Sequence, residues 1–253
     1  MNKVLIVGSG VVGQATGKGL ARMGVDVTFY DVDSKVLETL SKQGYQTRDS
    51  LAPRNYYIVS VPERYVEDVV KAVARFKDSI TIIKSTVPVG TTRRLHENYG
   101  CNLIHNPEFL REATAEDDFL NAHMLVLGSP RGRRDSVLER AYEDLYWWYP
   151  RDRTIFLPSD TSEMVKLALN GYLSTVIGYW NEVDRVCVAL GINSHEVGRT
   201  CSRDPRVTPY GATRHGKPFG GKCLPKDLDQ LVALAKSVGV SDTIFEKVKE
   251  RNV

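Results

Sequence analysis

The chain has 253 residues, with 34 Lys and Arg against 31 Asp and Glu and a net charge of +3. This length can hold two ordinary domains. Because the positive and negative charges are nearly balanced, neither a nucleic acid nor a membrane surface is expected as the partner. The four cysteines form no CxxC pair and no metal-ligand spacing, and no segment reads as a signal peptide or a membrane span. We therefore expect a soluble cytoplasmic protein without a metal site.

The first predicted unit is a strand, a glycine turn, a helix, a second strand and an acid. The apolar run Val4–Val7 is typical of a strand covered on both faces, and it leads into Gly8-Ser9-Gly10-Val11-Val12-Gly13. A helix to about Met23 follows, and the next strand, Val25–Tyr30, ends at Asp31. This order is typical of a dinucleotide-binding fold.

Each residue of that frame has a physical role. Gly8 permits the tight turn, Gly10 lets a pyrophosphate approach the backbone, and Gly13 lets the helix pack on the strand. The helix N-terminus at Val11 and Val12 receives the phosphate charge. Asp31 can accept from both ribose hydroxyls and would repel a 2′-phosphate, so we predict NAD rather than NADP. A lone GxGxxG also occurs in structural turns, but the whole frame favours the cofactor site.

Strands and helices continue to alternate beyond this unit. Further strands are predicted at Tyr56–Val61, Ile80–Lys84, Asn102–Ile104, Met124–Leu127 and Thr154–Leu157. The alternation predicts an α/β domain over residues 1–158, with a doubly wound Rossmann-type parallel sheet.

Ligands bind beyond the carboxyl ends of parallel strands, and three strand ends carry polar groups. Ser60-Val61-Pro62 and the segment from Lys84 to Thr92 should both border the cofactor. Thr86 and its neighbouring hydroxyls could bind a ribose or substrate oxygen, or they could simply cap a helix. After the third end, Glu108 and Glu112 would share a face if the segment were helical. One of them could orient water or the nicotinamide amide; a solvated acidic turn is the alternative.

Residues 159–253 are predicted to form a smaller, all-helical domain. Ser159 to Glu163 has the pattern of a capping box, and apolar spacing up to Leu190 predicts one helix of about thirty residues. A helix longer than its own domain usually finds cover on a second subunit, so we expect a homodimer through it. Lys166 and Asn170 lie four residues apart and point the same way, so they could hold a reacting oxygen. A surface lysine and a helix-interior asparagine are the plainer alternative.

A cysteine motif follows in the stretch from Lys217 to Asp227. Cys223 lies between the glycine pair Gly220-Gly221 and a helix that we predict to begin at Pro225. Unpaired N–H groups and the positive dipole end of a helix favour thiolate, and the glycines let a substrate come close. From this stretch alone, a nucleophile and a small buried cysteine are both open.

In combination these motifs resemble the UDP-glucose/GDP-mannose 6-dehydrogenase family of nucleotide-sugar dehydrogenases. The resemblance runs in order along the chain. It rests on Gly8 to Gly13 with Asp31, Ser85 to Thr92, Asn106 to Glu112, Glu163 to Asn170, Asn181-Glu182, Asp204-Pro205-Arg206 and Phe219 to Asp227.

The resemblance implies an oxidoreductase of polysaccharide biosynthesis that oxidises a C6 alcohol to the uronate, with UDP-glucose as the foremost substrate. Two NAD molecules would be used in turn, a four-electron oxidation. Cys223 would carry the thiohemiacetal and the thioester. Asp227, through a water or with Lys166, would take the hydroxyl proton, and Glu108 or Asp227 would activate the hydrolytic water. Lys166 and Asn170 would stabilise the oxyanions.

The family pattern also implies contacts for residues outside the catalytic group. Thr86 would lie near the catalytic water and Glu112 near the nicotinamide. Arg206 matches an arginine that crosses from a partner subunit. Nucleotide-sugar contacts are implied for Phe109, Leu110, Lys226 and the loop Phe219-Gly220-Gly221.

One departure from the family and two alternatives stay open. Family members carry a third, C-terminal domain that closes over the nucleotide, and because the sequence ends at Val253 we expect that part of the pocket to be missing. A β-hydroxyacid dehydrogenase-like single oxidation would need no thiol. A non-catalytic NAD-binding remnant, or a partial subunit, would bind NAD without turnover.

Overall fold

The structure is a computed structural model that describes residues 2–221 and 223–252. Contacts between residues divide the chain into two compact units, Met1–Lys166 and Leu167–Val253. The sequence-based domain limits, 1–158 and 159–253, follow an element boundary, whereas the contacts divide the chain inside a helix. Lys222 of the cysteine motif lies outside the described residues.

The first unit is built on an eight-stranded sheet in the order β3-β2-β1-β4-β5-β6-β7-β8. Its strands are β1 (Lys3–Val7), β2 (Asp26–Tyr30), β3 (Gln46–Arg48), β4 (Tyr56–Val59), β5 (Ile80–Ile83), β6 (Asn102–His105), β7 (Leu125–Ser129) and β8 (Thr154–Pro158). Its helices are α1 (Val11–Arg22), α2 (Ser34–Lys42), α3 (Val66–Val73), α4 (Thr91–Tyr99), α5 (Ala115–Leu120), α6 (Ser136–Leu145) and the first turns of α7 (Ser159–Leu190).

The sheet confirms the predicted α/β fold class, a Rossmann-type sheet followed by a helical part. In β1, Val4 and Ile6 join the core on one face while Leu5 and Val7 join the core on the other. An all-apolar strand run is therefore explained by burial on both faces. The short β3 was not predicted, because its polar residues lack a strand pattern.

One strand pair departs from the fully parallel sheet that alternation predicts. β6 and β7 are antiparallel and share a single residue pair, His105 and Gly128. A parallel connection needs a helix that crosses the sheet between the two strands. Helix α5 instead packs on α1, where Phe119 lies 2.2 Å from the position that a Cβ on Gly19 would take.

The second unit is helical. It holds the rest of α7, α8 (Ser194–Cys201), α9 (Pro209–Ala212), α10 (Cys223–Ser237) and α11 (Ile244–Arg251). Helix α7 has 32 residues and is followed by Gly191 at φ +69°, as the sequence predicts. Helix α10 begins at Cys223, two residues before the predicted start at Pro225. Its first turn therefore includes the cysteine.

The predicted capping box at the start of α7 is wrong. The Glu163 carboxylate accepts from the N–H groups of Gly90 and Thr92 at 2.6 and 2.8 Å, and from Thr92 Oγ1 at 2.6 Å. It thus caps helix α4 rather than its own helix. The donors come from a segment about seventy residues earlier, which a local pattern cannot reveal. Burial raises the pKa of this carboxyl to about 7, although the three hydrogen bonds favour the ionised form and oppose the shift.

That shift predicts a specific dependence of stability on pH. Between pH 4.5 and about 7 the folded chain keeps a proton on Glu163 that the unfolded chain has lost. The contribution of Glu163 to the free energy of unfolding therefore falls as pH rises through this window, by on the order of 3 kcal/mol. Urea unfolding at several pH values should show the difference between wild type and Glu163→Gln shrinking by that amount. Glu97→Gln, an exposed change on α4, is the control; parallel curves for wild type and Glu163→Gln would contradict the assignment.

Candidate functional site

The glycine turn after β1 has the tight geometry that its sequence predicts. Gly8 has φ +90°, and a Cβ there would lie 2.7 Å from the Ser60 carbonyl oxygen. A Cβ on Gly13 would lie 2.0 Å from the Gly8 carbonyl oxygen, so helix and turn are in direct contact. Gln14 Nε2 donates to the Ser9 carbonyl oxygen at 2.8 Å and holds the turn closed. The turn is thereby a rigid platform at the start of α1.

Gly10 differs from Gly8 and Gly13 because the space beside it is open. A Cβ at this position would meet no atom of the described residues within 4 Å. Gly10 also borders a cleft of about 690 Å³ in the first unit. The lining includes Ser9, Gly10, Val11, Gln14, Glu112 and Thr114. Since the first N–H groups of a helix have no intrahelical acceptors, the start of α1 offers this cleft a set of donors for an anion.

Asp31 lies at the end of β2 beside the same turn. Its carboxylate accepts from the N–H of Ser9 at 2.6 Å and from the N–H of Asp33 at 3.0 Å. These two bonds orient the carboxylate, which stays partly exposed. An oriented acid next to an open glycine turn fits the ribose and the pyrophosphate of a dinucleotide. The NAD contacts assigned to these residues remain predictions.

The next strand ends lie against the turn. Ser60 and Val61 contact Gly8, and Ser60 Oγ is buried without a hydrogen-bond partner among the described residues. Ser85 Oγ donates to the Val61 carbonyl oxygen at 2.6 Å and ties the ends of β4 and β5 together. Ser85 is thus a structural tie, while Thr86 beside it is half-buried and Pro62 is exposed. Cofactor and water contacts for Ser60, Val61, Pro62 and Thr86 stay predictions.

The segment after β6 brings an acid and a lysine together. Glu108 Oε1 accepts from Lys166 Nζ at 2.9 Å, and Lys166 also donates to the Glu108 carbonyl oxygen at 2.8 Å. The second carboxylate oxygen accepts from the Leu110 N–H at 2.8 Å. Phe109 lies beside the pair, with its ring centroid 5.7 Å from Lys166 Nζ. Both charged side chains are almost fully buried, so the lysine and the carboxylate are held in one geometry.

The two acids of this segment do not share a helical face. Residues 107–111 are irregular and a 3₁₀ turn begins only at Glu112, so the condition for that expectation is not met. Glu108 turns inward to Lys166, whereas Glu112 is exposed and borders the cleft at Gly10. Two acids four residues apart thus face different surroundings.

The second unit holds its own acid. Asp227 is fully buried and accepts from Asn170 Nδ2 at 2.5 Å and from Lys226 Nζ at 2.6 Å. Helices α7 and α10 approach closely here because Gly171 has no side chain; a Cβ there would lie 2.6 Å from Leu231 Cδ2. A buried carboxylate with a charged donor and an amide donor is held in one orientation. Cys223, four residues before Asp227 on α10, is exposed.

The loop before Cys223 is anchored on one side and open on the other. Phe219 is buried in a core with Leu228 and Val248, and its N–H and carbonyl oxygen both pair with the Asn252 amide. Gly220 and Gly221 are exposed, and the backbone at Gly221 has φ +79°, a conformation that favours glycine. Phe219 therefore has a packing role, and substrate contacts at these three residues stay predictions.

Arg206 is an exposed residue of the predicted site. Its side chain is 87% exposed and its guanidinium pairs with Asp204 at 2.6 Å. The Asp204 carboxylate raises the pKa of this guanidinium, which stays charged. Among the described residues it pairs with no other predicted site residue, and its contact with a partner subunit remains a prediction.

The sequence analysis assigned no role to two buried polar residues that precede Glu108, Lys84 and Asn106. Lys84, at the end of β5, is buried, and its Nζ donates to Asn106 Oδ1 at 2.8 Å. A lysine directly after an apolar strand run was the available signal, since such a residue is rarely buried without a partner.

Two kinds of feature are absent from the described residues. No helix among them combines the length and the apolarity needed to cross a bilayer. In the same part of the chain, no three His, Cys, Asp or Glu side chains are grouped so as to hold a metal ion.

Two family profiles match the chain. Residues 53–146 match the NAD binding domain of the UDP-glucose/GDP-mannose dehydrogenase family, and residues 160–253 match its central domain. The UDP-glucose 6-dehydrogenase of Campylobacter jejuni is 27% identical over 292 aligned residues, an alignment that covers 99% of this chain and 72% of that protein.

Solved structures show the same relationship. A UDP-glucose dehydrogenase from Pyrobaculum islandicum superposes with a TM-score of 0.89 at 26% identity, covering 100% of this chain and 68% of that one. A 3-hydroxyisobutyrate dehydrogenase from Mycobacterium tuberculosis superposes with a TM-score of 0.77 at 16% identity, covering 99% and 92%. At that identity the second likeness shows the fold alone.

The two glycines of the turn allow a matched test of the cofactor site. Gly13→Ala should destabilise the first unit by ~1–3 kcal/mol or more, because its methyl group would overlap the Gly8 carbonyl. Gly10→Ala should leave the melting temperature unchanged, since φ is −71° and no atom is near, yet weaken NAD binding at least ~10-fold. Thermal unfolding and isothermal titration with NAD measure both effects. Unchanged NAD affinity in Gly10→Ala would show that this turn does not hold the cofactor.

Proposed function

Because the chain belongs to the UDP-glucose/GDP-mannose dehydrogenase family, we propose that it oxidises the C6 alcohol of a nucleotide sugar, UDP-glucose foremost, to the uronate with NAD. The observation that carries the proposal is the buried Asp227 of α10, the helix whose first turn contains Cys223. Its carboxylate accepts hydrogen bonds from Asn170 and Lys226. A base and a thiol on one helix suit an oxidation that passes through a covalent thioester. Oxidation of an alcohol only to the carbonyl needs no thiol.

The residues present fit the cofactor. The open space at Gly10, the donors at the start of α1 and the oriented Asp31 would hold the pyrophosphate and a ribose. Glu112 borders the same cleft and is proposed to contact the nicotinamide end. Bound NAD supplies a two-electron hydride acceptor, and two such steps account for alcohol to acid with one water consumed.

The chain's own residues carry the proton and acyl chemistry in this proposal. Asp227 takes the hydroxyl proton, directly or through a water, while Lys166 and Asn170 hold the alkoxide oxygen. The Cys223 sulfur adds to the aldehyde carbon, and after the second oxidation the acyl group is a thioester on that sulfur. Water activated by Glu108 or Asp227 then releases the uronate and returns the thiol. Support comes from the buried, hydrogen-bonded state of both carboxylates.

Two further parts of the proposal concern partners. We propose that α7 packs against a second copy of the chain, because Tyr172, Tyr179 and Val186 leave more than half of their surface exposed along it. Arg206 would reach the partner's site from its exposed position. The remaining nucleotide-sugar contacts are proposed for Phe109, Leu110, Lys226, Phe219, Gly220 and Gly221.

A second candidate function is a single oxidation of a β-hydroxyacid. The fold is shared with the 3-hydroxyisobutyrate dehydrogenase, and the fold alone does not decide between the two reactions. The third candidate is an NAD-binding protein without turnover. The alignments cover 72% and 68% of the lengths of the two related dehydrogenases.

The ratio of NADH to acid product separates these functions. With NAD and UDP-glucose we expect two NADH for each uronate, measured by absorbance and by chromatography of the product. One NADH per product would identify a single oxidation, and NAD binding without any NADH would identify the binding-only reading. A panel of nucleotide sugars and β-hydroxyacids completes the assay.

Cys223 provides the sharper test of the mechanism. Cys223→Ser should lower uronate formation at least ~10³-fold, because the alcohol side chain cannot form the thioester. Cys201→Ser, a matched change at an exposed cysteine of α8, should keep full activity. Full uronate formation by Cys223→Ser would contradict the covalent route.

A further inference from the structure

The carboxyl end of β5 carries a buried lysine that the proposed chemistry does not use. Lys84 is 4% exposed, and its Nζ donates to the Asn106 side-chain oxygen at 2.8 Å and lies 3.4 Å from the Asn106 carbonyl oxygen. The Phe119 ring lies on another side, with its centroid 5.8 Å away. Burying an ammonium group lowers the free energy of unfolding unless the group is paired, so a buried lysine at this position needs an explanation.

Asn106 is the point through which Lys84 acts on the sheet. Its side-chain oxygen also accepts from the Tyr146 hydroxyl at 2.9 Å, and its Nδ2 donates to the Val126 carbonyl oxygen at 2.8 Å. Its own N–H donates to the Ile83 carbonyl oxygen at 2.9 Å. Strands β6 and β7 pair at His105 and Gly128, and the bond from Asn106 Nδ2 to Val126 adds a second link between the end of β6 and β7.

Glu108 lies two residues after Asn106, so the position of Glu108 depends on where Asn106 is held. The backbone between Asn106 and Glu108 is irregular, so no helix or strand hydrogen bonds hold it. Glu108 is fixed ahead by Lys166 and Leu110, at 2.9 and 2.8 Å. Behind it, the Asn106 hub is the anchor. Movement of Asn106 would therefore displace the carboxylate from Lys166.

The surroundings of Lys84 lower the pKa of its amine, so its charge can be lost in mildly alkaline solution. Burial lowers the Lys84 pKa to about 8; the Glu108 carboxylate opposes the shift and the Lys166 ammonium adds to it. Burial, with the Lys84 charge second, lowers the His105 pKa to about 3, so this imidazole is neutral. Burial also raises the pKa of Tyr146, which keeps its proton and remains a donor to Asn106. Of Lys84, His105 and Tyr146, Lys84 is the group whose pKa is shifted to near pH 8.

We propose that Lys84 is a positioning residue for the oxidation. Acting through Asn106, its charged amine holds the strand end that presents Glu108 to Lys166, and loss of the charge in alkaline solution loosens that strand end. A charged donor makes a hydrogen bond roughly twice as strong as a neutral one. The effect on turnover rests on the proposed function, whereas the effect on Glu108 can be measured without substrate.

The Leu110 amide reports the position of Glu108 directly, because it donates to the Glu108 carboxylate. Its hydrogen exchange, measured by NMR on the whole chain at neutral pH, should be at least ~10-fold faster in Lys84→Met than in wild type. Lys71→Met, the same change at an exposed lysine of α3, should leave the rate within about twofold. An unchanged Leu110 rate in Lys84→Met would overturn the proposal.

If Lys84→Met does not fold by circular dichroism, Tyr146→Phe takes its place. This variant keeps the charge and removes one of the two donors to the Asn106 oxygen. Leu110 exchange should then be faster by about threefold or more. An unchanged rate would overturn the proposal as well.

The pH profile of the reaction gives the functional measurement. We expect kcat/KM for UDP-glucose in wild type to fall above about pH 8. Lys84→Met should lower kcat by about 10²-fold with KM within about threefold, and the fall near pH 8 should be absent. A fall near pH 8 that persists in Lys84→Met would overturn the role of Lys84. If wild type oxidises no nucleotide sugar, the proposed function fails, and Leu110 exchange alone decides the proposal.

Discussion

The structure of the first unit depends on how the opening turns of α7 are locked to the carboxyl edge of the sheet. Three side chains within two turns are bound there by buried polar contacts: Ser162 to His105, Glu163 to the start of α4, and Lys166 to Glu108. Each contact removes a polar or charged group from water, so each is tolerated only because the buried group has a hydrogen-bond partner. This explains why the compact unit ends at Lys166, inside a continuous helix.

The same lock fixes the position of Lys166. A lysine that is held by a carboxylate and by a carbonyl oxygen has little freedom of its own, which suits the role proposed for its ammonium group. In the second unit Asp227 is treated in the same way, buried between Asn170 and Lys226. Both units thus keep an acid out of water beside a positive group. Buried ion pairs contribute little to the free energy of unfolding, because removing the two charges from water offsets most of their attraction. Their presence therefore favours a functional role.

The membership of the chain in the dehydrogenase family agrees with the motif order, and the fold class follows from it. The residues that sequence reasoning selected are largely those with unusual environments, such as Gly10 with open space and Asp227 with full burial. Others proved to have a structural task as well. Phe219 is part of a core, and Ser85 ties two strand ends together. A motif marks the position of a residue but not the task of its side chain.

The amino-acid sequence alone determined the β1–turn–α1–β2 unit, its acid at Asp31 and the long helix α7. These features are written in local patterns: apolar runs, glycines at required angles and helical periodicity. Only the tertiary structure decided that Glu163 caps α4, that β7 runs antiparallel to β6 and that Lys84 supports Asn106. The Glu163 and Thr92 partners are 71 residues apart, and those of Lys84 and Asn106 are 22 apart. Pairing over such separations depends on the packing of the whole unit, which no short stretch of sequence contains.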